Sequence, residues 1–116
     1  MERYRTEILK IDNKVKEKPS KIMSIENALA YEEEGVFKYG WAKTKNYYTF
    51  HSMVMYGHQD ILDFIKQNTT GLKIQKGCVN FKSFSNLPID IFKEIMILSA
   101  KKDFSSVVKH YNDRKK

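Results

Sequence analysis

Apolar residues recur with helical spacing near the beginning of the chain. They are separated by four, three and four positions and form one stripe: Tyr4, Ile8, Ile11 and Val15. This period is that of an amphipathic helix with one buried face. Pro19 interrupts it, because a proline ring disfavours helical geometry in the preceding residue. The pattern therefore predicts an N-terminal helix within residues 1–20, followed by an ambiguous segment, 20–27, that would suit a short second helix.

From Ala28 onward the pattern changes to the alternation that is typical of strands. Leu29 alternates with smaller or polar neighbours, and a turn is predicted at residues 33–35, where Gly35 supplies a positive φ angle. In the next strand, residues 36–42, one face is predicted to be aromatic. Its positions are Phe37, Tyr39 and Trp41, and the opposite face would carry Lys38 and Gly40.

After a polar turn at residues 43–46, residues 47–56 predict the longest strand, because aromatic and β-branched residues are frequent there. Alternation divides its side chains between two faces. One face would carry Tyr48, Phe50, Val54 and Tyr56. The other would carry Tyr47, Thr49, His51, Met53 and Met55. Three strands joined by short turns form an antiparallel meander.

Helical spacing returns after Asp60 and again after Pro88. The buried positions of the first of these helices are Ile61, Leu62, Phe64 and Ile65. Gly71 follows as a stop signal, and residues 78–81 alternate and predict a fourth strand. Pro88 suits the first turn of a helix, where its missing N–H costs nothing. That helix buries Ile89, Phe92, Ile95, Met96 and Ala100. A helix is predicted to resume after Asp103.

The predicted order of elements is α-β-β-β-α-β-α. We therefore expect an α+β fold in which an antiparallel sheet of about four strands has helices packed on one of its faces. No internal repeat and no Pro/Gly-rich linker divides the 116 residues, so a single domain is predicted over 1–116. Residues 101–116 are predicted to form a basic C-terminal extension of that domain.

Short motifs within residues 28–100 resemble the YdhG-like family of small proteins, best known as a domain of unknown function. In order, they are Tyr39-Gly40 in a strand, the aromatic strand 47–56, a short helix, Lys76-Gly77 leading into Val79-Asn80-Phe81, and Leu87-Pro88 opening a helix. Their order and spacing carry the resemblance. It implies an α+β domain with a curved antiparallel sheet and packed helices.

Some bacterial members of the YdhG-like family are described as frataxin-like iron chaperones, so the resemblance also implies a role in binding iron. Iron is a hard cation that suits oxygen ligands. The candidate metal ligands in this chain are Glu32, Glu33, Glu34, His51 and His58. The predicted first helix departs from that expectation, because its lysines and arginines outnumber its acidic residues, Glu2, Glu7, Asp12 and Glu17.

Composition favours a protein with its own packed core, since hydrophobic residues make up 41% of the chain. The single cysteine, Cys78, has no partner for an intrachain disulfide. The first residues are charged and unlike a secretory signal, and the apolar runs are too short for a membrane span. We therefore expect a cytoplasmic protein that does not enter a membrane.

The formal net charge is +7, and basic residues concentrate in the first and last segments of the chain. A basic surface raises affinity for polyanions, so weak nucleic-acid binding through the termini is one alternative function. Solvated helix faces and a frayed tail explain the same charge without any partner.

The sequence holds no glycine-rich phosphate loop, nucleophile elbow or zinc-ligand spacing. Cys78 and His51 are the one pair suited to nucleophilic chemistry, since both fall in predicted strands. An unpaired cysteine is more often a small buried apolar residue. A non-enzymatic protein without a cofactor is therefore predicted.

Aromatic residues of the predicted sheet give the most distinctive candidate site. Tyr39 and Trp41 would line a pocket for a small ligand, stack with nucleic-acid bases beside nearby lysines such as Lys73, or pack in the core, and all three interpretations stay open. If the second face of the sheet is uncovered, it would present an apolar patch of Tyr47, His51, Met53 and Met55. Such a patch would suit a protein partner, a second copy of this chain included. The predicted function is thus a non-enzymatic module that binds a small ligand or a protein.

Overall fold

The computed structural model describes residues 2–22 and 25–114, which form one antiparallel sheet and the helices packed beside it. The strands are β1 (Lys16–Ile22), β2 (Ile25–Glu33), β3 (Val36–Lys43), β4 (Tyr48–Ser52), β5 (Lys73–Gln75) and β6 (Cys78–Phe81). The helices are α1 (Glu2–Ile11), α2 (Met53–Gly57), α3 (Gln59–Asn68), α4 (Ile89–Ala100) and α5 (Ser105–Arg114). Within these residues, no helix is both long enough and apolar enough to cross a membrane.

The strand order in the sheet is β1-β2-β3-β4-β6-β5, and each neighbouring pair is antiparallel. The α+β class and the antiparallel sheet are confirmed. The predicted count of about four strands is wrong, because the described residues form six. The two additional strands are β1, where the sequence predicts helix, and β5, where the sequence pattern predicts no element.

α1 ends at Ile11, although the sequence predicts a helix that continues to Pro19. The following residues instead form β1, which pairs with β2 at one edge of the sheet. Pro19 is compatible with an edge strand, because a proline there need not remove a ladder hydrogen bond. The prediction of an N-terminal helix is therefore wrong in its second half. Of the segment 20–27, residues 23 and 24 lie outside the described residues, and the rest is strand rather than helix.

β4 ends at Ser52, although the sequence predicts a strand that continues to Tyr56. The Ser52 hydroxyl accepts a hydrogen bond of 3.0 Å from the Met55 N–H and caps the N-terminus of α2. Val54 and Met55 are consecutive and both are buried, which a helix permits and a half-buried strand does not. The prediction of one long strand over 47–56 is therefore wrong beyond Ser52.

The turn that the sequence predicts at residues 33–35 lies between β2 and β3 and is confirmed at Glu34 and Gly35. Both residues have positive φ angles, 50° and 79°. Two consecutive positive φ angles give a two-residue turn whose twist matches that of an antiparallel hairpin. This turn sets the register between β2 and β3.

One face of the sheet is covered by α1 and α4, and Trp41 lies at the centre of that contact. Its ring centroid is 5.7 Å from that of Tyr4 on α1 and 5.4 Å from that of Phe92 on α4. Phe50 on the neighbouring strand lies 5.0 Å away. Trp41 and Tyr39 are 1% and 0% exposed, so both side chains belong to the core.

A β-bulge in β3 moves Lys38 onto the helix-covered face. Tyr39 pairs with Tyr31 and Phe37 pairs with Glu32, so Lys38 has no partner on β2. The prediction that Phe37 shares a face with Tyr39, and that Lys38 opposes them, is therefore wrong. Phe37 instead packs against two small residues of the other face, Ala28 and Ala42.

On the other face of the sheet, Ala28, Ala42 and Phe37 form a small apolar cluster. No described helix contributes a side chain to this cluster. Across β4, β6 and β5, the core-facing residues Phe50, Val79 and Ile74 are in register. Their neighbours along each strand must point the opposite way. These neighbours form the open face: Thr49, His51, Lys73, Gln75, Cys78 and Asn80.

Candidate functional site

Three adjoining concavities lie along the open face, and together they are named the open-face groove. The first, of about 260 Å³, is lined by Phe37, His51, Ser52, Met53, Tyr56, Gln75, Gly77 and Cys78. The second, of about 300 Å³, is lined by Thr44, Tyr47, Thr49, His51, Lys73, Gln75, Cys78 and Asn80. The third, of about 320 Å³, is lined by Tyr47, Gly71, Lys73, Asn80, Phe81, Lys82 and Asn86. Shared lining residues join each concavity to the next.

Strand register places the central side chains of the groove in facing pairs. His51 on β4 lies opposite Cys78 on β6, and Cys78 lies opposite Gln75 on β5. Directly opposed residues of antiparallel strands have Cβ atoms about 4.5–5.5 Å apart. The three side chains therefore form one row across the floor of the groove.

His51 is uncharged at neutral pH, because burial lowers its pKa below the usual 6.5. Its Nε2 atom is buried and has no hydrogen-bond partner among the described residues. A neutral imidazole can accept or donate a hydrogen bond at this nitrogen, depending on its tautomer. The centre of the groove thus holds a polar atom whose hydrogen bonding is unused.

Cys78 is 7% exposed, and its thiol donates a hydrogen bond of 3.0 Å to Gln75 Oε1. Burial raises its pKa, so the thiol stays protonated at neutral pH. A nucleophilic cysteine needs the thiolate, which a neighbouring cation stabilises. His51 is close enough by register to be such a neighbour, but both groups are uncharged here. The pair lacks the electrostatics of an activated nucleophile.

The two ends of the groove differ in polarity. One end is apolar, with Phe37 and Met53 partly buried in its wall and Tyr56 exposed beside them. The Lys76 ammonium lies 4.8 Å from the centre of the Tyr56 ring, outside the lining of the groove. The other end is basic, and its charged lining residues are Lys73 and Lys82. No Asp or Glu is among the described residues that line the groove.

Three of the six side chains that the sequence predicts as ligand contacts line the groove: Tyr47, His51 and Met53. The other three lie in the core, with exposures of 0–1%: Tyr39, Trp41 and Met55. The alternation of a strand places Met55 beside His51, but α2 turns Met55 inward. Tyr47, His51 and Met53 are therefore placed to contact a ligand, whereas Tyr39, Trp41 and Met55 are not.

The five candidate metal ligands are dispersed, and most are engaged with other groups. Glu32 pairs with Lys18 at 2.8 Å, and Glu33 pairs with Lys38 at 2.8 Å. Glu34 lies exposed in the turn after β2, and His58 Nδ1 lies 2.8 Å from the carbonyl oxygen of Val54. His51 lies in the groove. Residues 2–22 and 25–114 contain no group of three or more His, Cys, Asp or Glu side chains that could hold a metal ion.

The sequence predicts no strand at β5, which contributes Lys73 and Gln75 to the groove. Both positions alternate with Ile74, and the pair Lys76-Gly77 separates them from the alternating residues 78–81. That pattern is typical of a short hairpin and could have identified β5. Asn80 and Thr49 were in predicted strands, but only the register with β5 shows that they line a groove.

No family model matches the chain, and neither a curated protein nor a solved structure matches it. The resemblance to the YdhG-like family stays a prediction from the sequence motifs.

Proposed function

We propose that the protein is a non-enzymatic module that binds a small molecule in the open-face groove. The observation that carries this proposal is the set of polar side chains that point into the groove without a partner. Tyr47, Lys73 and Asn80 form no side-chain hydrogen bond or ion pair with another described residue. These groups can therefore bind a ligand without breaking an existing interaction.

The dimensions and rigidity of the groove support the same proposal. Each concavity has a volume near 300 Å³, at the lower end of the range for small-molecule sites. The floor consists of three paired strands, so most of its side chains are already held in position. A preformed site loses less conformational entropy when a ligand binds.

The absence of an activated group in the groove supports binding rather than catalysis. Cys78 and His51 are the titratable pair at its centre, and both are neutral near pH 7 because of burial. The metal alternative has no ligand cluster among the described residues. The nucleic-acid alternative has support from the net charge of +7 alone.

The experiment that tests the proposal is a ligand-observed NMR screen of a fragment library against three proteins. Asn80→Trp fills the groove from an open-face position without altering the core. Lys66→Trp places the same bulk on the exposed face of α3 and is the matched control. We expect fragments that bind the wild type and Lys66→Trp but not Asn80→Trp. Fragments that bind all three proteins equally would refute groove binding.

A further inference from the structure

We infer that the ligand of the open-face groove is an amphiphile, with an anionic head group at the Lys73 end and an apolar body directed toward Phe37 and Met53. This inference rests on the proposed function and adds the chemical class and the orientation of the ligand.

The basic end of the groove selects a negative charge. Lys73 on β5 lies opposite Asn80 on β6, and Tyr47 lines the same two concavities. Lys82 adds a second ammonium group to the adjoining concavity. Neither lysine has an ion-pair partner among the described residues. Uncompensated positive charge in a concave surface raises the local concentration of anions.

Hydrogen-bond donors accompany this charge. The Asn80 amide and the Tyr47 hydroxyl can both donate to an oxygen of the head group. Donors beside an ammonium suit a carboxylate, whose two oxygens accept several hydrogen bonds. A cationic head group would meet Lys73 and Lys82 with no described acidic residue to balance them.

The opposite end of the groove suits an apolar body. Phe37, Met53 and Tyr56 contribute its wall, and Tyr56 is 53% exposed. Gly77 lies beside them, where a Cβ would come within 3.3 Å of Tyr56 Cδ2. Glycine thus leaves room that a side chain would take from the groove. Covering these apolar side chains with a ligand removes apolar surface from water, which favours binding.

The central row of the groove is compatible with a ligand body that crosses it. His51 is neutral there, and the Cys78 thiol is bonded to Gln75. This row therefore carries no charge that would attract the anionic head group away from the basic end of the groove. The five residues of β4 span about 16 Å at the rise of an extended strand, which sets the scale of a ligand that lies along them.

Three probes that share a phenylhexyl body test the head group: 6-phenylhexanoate, 6-phenylhexanamide and 6-phenylhexylamine. Affinities are measured by calorimetry at low ionic strength, and the site is identified by backbone amide shifts in ¹H–¹⁵N spectra. We expect the carboxylate to bind about tenfold more tightly than the amide, with the amine weakest, and the shifts to fall on β4, β5 and β6.

Two variants and one control test which end of the groove binds the head group and which end binds the apolar body. Lys73→Gln with Lys82→Gln should abolish the preference for the carboxylate over the amide, and Lys66→Gln on α3 should preserve it. Met53→Gln should weaken the carboxylate and the amide by the same factor, because it changes the apolar end alone. Spectra of each variant that keep the wild-type dispersion exclude misfolding as the cause.

The outcomes separate this inference from the proposed function. Equal affinity of the carboxylate and the amide in the wild type, at the groove, would overturn the anionic head group and leave groove binding intact. Fragments that bind the groove while none of the three probes does would overturn the amphiphile class. If no fragment and no probe binds the groove, the proposed function itself is refuted.

Discussion

The Lys38 ammonium lies 2.7 Å from the Asp12 carboxylate, and the two side chains are 1% and 2% exposed. Glu33 is the second carboxylate on Lys38, at 2.8 Å, and the Tyr39 hydroxyl donates to Asp12 at 2.8 Å. This buried network joins the residue after α1 to β2 and β3. It explains why Lys38, a residue type that is rarely buried, is located in the core: its charge is paired on two sides.

Replacement of Lys38 by methionine should lower the free energy of unfolding by about 3–5 kcal/mol, because it leaves the buried Asp12 without its cation. The measurement is urea denaturation followed by tryptophan fluorescence, since Trp41 lies in the core. Lys102→Met is the matched control. It breaks an ion pair with Asp60 in which the side chains are 27% and 55% exposed, so its effect should be much smaller. Equal losses in the two variants would contradict the assignment of Lys38 to a buried network.

His51 should make the protein less stable in mild acid. Burial lowers its folded-state pKa below 6.5, so the unfolded chain binds a proton more readily than the folded one. The free energy of unfolding should therefore be highest above pH 6.5 and fall as the pH is lowered toward the folded-state pKa of His51.

Urea denaturation at several pH values between about 7 and 5 checks this prediction. His51→Gln should flatten the dependence on pH over that interval. His110→Gln, at an exposed position on α5, should retain the wild-type dependence. If the free energy of unfolding depends on pH equally in all three proteins, burial of His51 is not the cause of the loss of stability in acid.

Cys78 should react slowly with iodoacetamide in the folded protein. The thiol is buried and its pKa is raised by burial, so little thiolate is accessible at neutral pH. Alkylation followed by mass spectrometry should be at least about tenfold slower in the native state than in urea. His51→Ala should leave the native rate nearly unchanged. A fast native reaction that depends on His51 would instead support an enzyme with a Cys-His pair.

Two glycines with the same φ angle should differ in their tolerance of alanine. Gly35 and Gly71 both have φ of 79°, which costs an alanine about 1–2 kcal/mol. A Cβ at Gly35 meets no atom within 4 Å, whereas at Gly71 it would lie 2.7 Å from Asn86 Nδ2. Gly71→Ala should therefore be the more destabilising change in thermal unfolding. In an Asn86→Ala background the excess should disappear, and its persistence would argue against the clash.

Local chemistry predicted the elements that depend on neighbours in sequence. The turn at Glu34 and Gly35, the helix after Pro88 and the alternation that puts Tyr39 and Trp41 on one face of the sheet all follow from short-range patterns. In each case the determining interaction, a positive φ, a helix start or a period of two, involves residues a few positions apart.

Long-range packing decided the elements that were predicted incorrectly. The residues of β1 have no decisive period, and pairing with β2 makes them a strand despite Pro19. Alternation predicts a strand through Tyr56, but Ser52 caps a helix that buries Met55 in a core built from distant segments. Backbone pairing with β2 outweighed the local preference at β1, and burial of Met55 outweighed it at α2.

The candidate groove also depends partly on local sequence and partly on long-range packing. Its sequence signal was the predicted open-face set Tyr47, His51, Met53 and Met55, of which the structure places all but Met55 in the groove. Only the tertiary structure brought β6 between β4 and β5, so that Cys78 faces His51 and Lys73 faces Asn80. Strand register depends on which surfaces bury the most apolar area across the whole sheet, and no local pattern contains that information.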